Sequence, residues 1–125
     1  AVMIYHACRR DEWTQAVAAG RYAGSSQDRA DGFIHLSTAE QMVESVAKHR
    51  AGQDDLILLT VDTAKLGKRL CWEPSRGGAL FPHLYGALPM AAVVSAAPLT
   101  LGPHGRHVFP PEWQDLVSRK HEASK

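Results

Sequence analysis

The chain has 125 residues, enough for one domain with a single substantial core, and its 45% hydrophobic and 22% charged residues are those of a globular protein in water. A formal net charge of +1 argues against a surface organised as a whole for a polyanion. No apolar run reaches the roughly 18 residues a membrane span needs. Val2-Met3-Ile4-Tyr5 is too short for a signal peptide, so a cytoplasmic protein is expected.

The first element, Val2 to Ala7, reads as a short buried strand carrying His6. A helix over about Asp11 to Ala19 follows, with Trp13, Ala16 and Val17 on one side and Gly20 as its stop. Arg21 to Gly32 reads as a polar loop, fit for the rim of a cleft. Phe33 to Ser37 is the second strand. It hands over directly to a helix from Thr38 to about Arg50, with Ala39, Met42, Val43, Val46 and Ala47 as its apolar stripe. Ser37 with Glu40 fits a capping box, which puts a helix N-terminus, a natural anion site, at the end of that strand.

Leu56 to Val61 is apolar on both faces, as a central covered strand would be. Asp62 to Leu66 is a turn or short helical piece stopped by Gly67. In Arg69 to Glu73 the alternation sets Leu70 and Trp72 on one face, Cys71 and Glu73 on the other. A flexible Pro74 to Gly78 loop leads to Phe81 to Gly86, where Phe81, His83 and Tyr85 share a face. Pro89 to Ala97 reads as a strand around Val93-Val94, Gly102 to Val108 as irregular, and Pro110-Pro111 opens a last helix, about residues 111–120, with Trp113, Leu116 and Val117 inward. A polar tail runs to residue 125. Short strands punctuated by three helices imply an α+β fold rather than a doubly wound sheet.

His6, His35 and His83 stand out because each interrupts an apolar strand-like run, where an imidazole needs a partner or a task. His35 and Ser37 share a strand face and so reach one ligand. Glu73 is either a surface carboxylate or one that stabilises developing positive charge. Arg21, Arg29 and Arg76 lie in loops. Cys8 and Cys71 show no disulfide or CxxC spacing, and His49, His104, His107 and His121 sit in polar surroundings that suit surface histidines.

Ile4-Tyr5-His6, Asp31-Gly32-Phe33-Ile34-His35-Leu36-Ser37, Trp72-Glu73 and Phe81-Pro82-His83-Leu84-Tyr85-Gly86 together resemble the DUF952 family over about residues 3–109. That resemblance implies an ADP-ribosyltransferase-like fold: a bent, split β-sheet core with about three helices and an NAD-like ligand between its halves. It implies that His6 holds a ribose, that His35 or Ser37 marks a later strand, and that Glu73 stabilises a ribosyl cation, giving Glu73, His35 and His6 as the catalytic set. His6, His35, Ser37, His83 and Tyr85 form the ligand-binding set, the last two having no counterpart in the transferase pattern. The leading expectation is an NAD-binding or ADP-ribosyl-transfer enzyme whose partner is a small molecule or nucleotide, nucleic acid entering only as a substrate. Two alternatives stand beside it: a non-catalytic nucleotide-binding protein, and a metal-dependent hydrolase with His6, His35 and His83 as ligands.

Overall fold

The computed structural model describes residues 3–74, 78–109 and Trp113, the side chains of Ser26 and Gln27 excepted. Arg76 and, apart from Trp113, the expected last helix lie outside the described residues. The fold is α+β, as expected, with antiparallel strand pairs throughout.

Strand β1 (Met3–Arg9) pairs along its whole length with β4 (Leu56–Asp62), which pairs on its other side with β8 (Val93–Leu101); a short β9 (His107–Val108) completes the sheet β1-β4-β8-β9. The doubly apolar β4 is the central strand that its composition demands. Ile57, Leu59 and Val61 join Ile4 and Cys8 in one core, and Leu56 and Leu58 join Tyr5 and Ala7 in the other. Helix α3 (Ala39–His49) covers the second face through Ala39, Met42 and Val46, alongside the buried Trp113. Its buried stripe is narrower than the periodicity implies, since Val43 is exposed. Glu44 and Lys48 pair across one turn at 3.3 Å.

A second sheet has the order β3-β6-β5, built from β3 (Ile34–His35), β6 (Leu80–Leu84) and β5 (Leu70–Pro74). The Tyr5–Ser37 bridge ties it to the edge strand β1, Tyr5 N donating to Ser37 O at 2.7 Å and Ser37 N to Tyr5 O at 2.8 Å. Trp72, which shares a strand face with Leu70, is exposed: β5 is an edge strand, and that face is open at this point.

Two expectations change. Arg21 to Gly32 is not a loop: β2 (Arg21–Tyr22) pairs with β7 (Leu88–Pro89), and α2 (Ser26–Asp31) follows, between helix α1 (Arg10–Ala19) and the second sheet. Ser25 caps α2, its hydroxyl accepting from Asp28 N while the Asp28 carboxylate accepts from Ser25 N, and Gly32 ends it with φ +87°. Six residues carry too little periodicity to announce a helix. The α3 cap also moves by one position, because Ser37 is committed to the bridge with Tyr5: Thr38 is the N-cap, and its capping-box partner is Gln41, not Glu40.

Candidate functional site

The two sheets and α3 enclose a cleft of about 1150 Å³ to which His6, Asp28, Asp31, His35, Ser37 and His83 all contribute. The three strand histidines therefore do converge. His35 and His83 are cross-strand partners in β3 and β6, with ring centroids 5.5 Å apart.

Asp28, only 3% exposed, organises the cleft wall. Its Oδ1 accepts from the backbone N–H of His35 at 3.1 Å and from the His35 ring Nδ1 at 2.6 Å, while Oδ2 accepts from Ser25 N at 2.8 Å. Burial alone would raise its pKa, but the His35 bond, the nearby His6 ring and the backbone donors together bring the carboxyl down to about 2. One turn further along α2, Asp31 places an oxygen 3.1 Å from His35 Nε2. With a carboxylate at each nitrogen, the protonated form of His35 is favoured: the Asp28 bond, offset in part by burial and reinforced by the Asp28 and Asp31 charges, raises its pKa.

His6 is arranged in the opposite sense. Its Nδ1–H donates to the His35 carbonyl at 2.6 Å, and Tyr22 O–H donates to Nε2 at 2.8 Å. Burial drives its pKa down despite Asp28, whose Oδ2 lies 3.8 Å away, so this ring is neutral with its tautomer fixed by a carbonyl. Burial also raises the Tyr22 phenol and pushes the neighbouring Cys8 thiol up to about 12, which leaves Cys8 a buried thiol rather than a nucleophile. His6 thus supports the His35 backbone from behind, and both its ring nitrogens are occupied by the protein.

His83 is 7% exposed and forms a third pattern. Its Nδ1 meets Glu73 Oε1 at 2.9 Å, the same oxygen accepts from Tyr85 O–H at 2.7 Å, and its Nε2 has no hydrogen-bond partner among the described residues. Phe33 stacks on the His83 ring at 4.2 Å and contacts the His35 ring at 4.6 Å and the Tyr85 ring at 5.3 Å, fixing all three in relation to one another. The Tyr85 bond, then the His83 bond, lowers the pKa of Glu73. Neither Glu73 nor Tyr85 lines the cleft, so Glu73 acts on it through His83. Ser37 lines it, with its hydroxyl donating to Ser45 Oγ at 3.2 Å. Among the described residues no three His, Cys, Asp or Glu side chains are grouped to hold a metal ion.

Asp28, Asp31 and Tyr22 are the site residues that strand periodicity does not reveal, whereas alternation does set Phe33 on the face of His35. The signal for Asp28 is Ser25-x-x-Asp28 between Gly24 and Gly32, a cap and a stop around a short helix. Gly24 has φ +95°, and a Cβ there would stand 2.7 Å from Asp28 Cβ, so the glycine is what lets Asp28 seat.

The model of a family described as "Protein of unknown function (DUF952)" matches residues 7–96. The crystal structure of protein CC0527 from Caulobacter crescentus, a structural genomics target, is 46% identical, covers 93% of this chain and 99% of its own, and superposes with a TM-score of 0.85. A double-mutant crystal form of the same protein gives 45% identity, the same coverage and a TM-score of 0.85. Its solution NMR structure gives 46% identity, 93% and 97% coverage and a TM-score of 0.77. No curated protein matches the chain.

Proposed function

Since the chain belongs to the DUF952 family, whose description names no activity, we propose from the site itself that the cleft binds a small nucleotide-type ligand, NAD being the first candidate. The observation that carries this reading is the meeting of His35, Ser37 and His83 at one cleft shared by both sheets, with His83 Nε2 unengaged among the described residues. A volume of about 1150 Å³ accommodates a ligand of that size. Ser37 and His83 Nε2 contact the ligand, and His35, engaged at both nitrogens by Asp28 and Asp31, fixes the wall across the strand pair from His83. ADP-ribosyl transfer is the reaction that goes with this ligand, with Glu73 at the reaction centre through His83.

A second reading, binding without turnover, is favoured by one observation. His6, the candidate ribose ligand, has both ring nitrogens engaged inside the protein, so it is a positioning residue rather than a substrate contact. Calorimetric titration with NAD and with ADP-ribose, together with an assay for nicotinamide release, separates the two. Binding that weakens about tenfold in His83→Gln supports the site, and no binding of either nucleotide removes it. Nicotinamide release by the wild type favours transfer, and binding without release favours the second reading.

A further inference from the structure

The Glu73–His83–Tyr85 cluster has a construction of its own. Among the described residues, His35 is bonded to carboxylates at both nitrogens, but His83 is bonded at Nδ1 alone. A carboxylate that accepts at Nδ1 requires the proton to be there, which leaves the Nε2 lone pair unused. That nitrogen belongs to a ring more than nine-tenths buried, stacked on Phe33 and lining the cleft. A buried basic nitrogen without a partner, oriented by a carboxylate and locked by an aromatic ring, is the arrangement a positioned base requires.

We propose that His83 is a general base whose Nε2 takes the proton from a hydroxyl nucleophile, either water or an alcohol acceptor, with Glu73 and Tyr85 as its positioning residues. As the O–H bond breaks toward Nε2, the oxygen forms its new bond to the electrophilic centre of the ligand. The leaving group departs with the pair of the broken bond, and the proton passes from the imidazolium to solvent. The charged and titratable groups around His83 are Glu73 and Cys71 on β5, Tyr85 after β6, and His35 on β3. Glu73 stabilises the imidazolium formed in the step. The inference rests on the proposed cleft for its ligand but not for the state of His83.

The test begins with long-range ¹H–¹⁵N NMR of the histidine rings and with diethyl pyrocarbonate as a probe of the free lone pair, neither of which needs a substrate. The neutral His83 ring is expected as the Nδ1–H tautomer, with carbethoxylation at Nε2 that slows about tenfold in Glu73→Ala as the orienting acceptor is lost. In Tyr85→Phe, which keeps the Glu73 bond, the tautomer is expected to persist; that variant decides the matter if Glu73→Ala does not fold. The exposed His104 serves as the internal reference for reagent quality. An Nε2–H tautomer in the wild type, or modification of His104 with none at His83, overturns the proposal. Parallel calorimetry with NAD reports on the ligand separately: absent binding with the Nδ1–H tautomer present refutes the nucleotide and not the base.

Discussion

Replacing Asp28 by Asn probes the organising group of the cleft while leaving its shape almost unchanged. Lowering the carboxyl from its ordinary 3.8 to about 2 corresponds to about 2 kcal/mol in favour of the ionised state. The amide can still accept from His35 through one atom, but it then presents an N–H₂ where Oδ2 accepts from Ser25 N at 2.8 Å. Leaving that buried donor unmatched adds about 1 kcal/mol, for a total near 3 kcal/mol. Part of the damage is relieved because His35, 41% exposed at its side chain, deprotonates when its buried counter-ion is gone. Urea unfolding at pH 7 measures the first quantity, and NMR titration of the His35 ring measures the second. A loss below about 0.5 kcal/mol, or a His35 ring that titrates as in the wild type, would show that Asp28 does not organise this wall of the cleft.

The pH dependence follows from the signs. Asp28, depressed in the folded protein, contributes stability that is complete above its unfolded value and lost as pH falls toward 2, whereas His35, raised, contributes below 6.5 and loses its share as pH climbs through its folded value. Denaturation midpoints against pH should show both limbs, and both should flatten in Asp28→Asn. His6 runs the other way, since a neutral buried ring costs stability as pH falls below 6.5. Tyr22→Phe removes the donor to Nε2, and should cost about 1–2 kcal/mol and raise the His6 titration seen by NMR. Gly24→Ala should lose about 2 kcal/mol or more in the same urea assay, from positive φ and the 2.7 Å approach to Asp28. Thr38→Ala should lose about 1 kcal/mol and Ser37→Ala clearly less, because Thr38 caps α3; equal losses would contradict that assignment.

Strand histidines were legible because an imidazole in an apolar alternation conflicts with its surroundings, and His6, His35 and His83 do meet at one cleft. The central β4 and the amphipathic α3 were legible for the same kind of reason, since their periodicity extends over enough residues. What stayed hidden was local and short. A six-residue helix carries no usable period, so Asp28 and Asp31, the carboxylates that set the charge of His35, lay in a stretch that reads as loop. Partners joined across sheets, such as Tyr22 with His6 or Phe33 with His83, depend on strand pairings that the linear pattern does not specify. The cap of α3 shifted because Ser37 had a stronger commitment to Tyr5 than to the helix.

We propose that a nucleotide-type ligand sits in the cleft beside Ser37 and His83. Titrating ¹⁵N-labelled protein with ADP-ribose and following amide and imidazole signals tests it directly. Saturable shifts at His35, Ser37 and His83 are expected. Saturable shifts confined to other surfaces, or none at all, would contradict it.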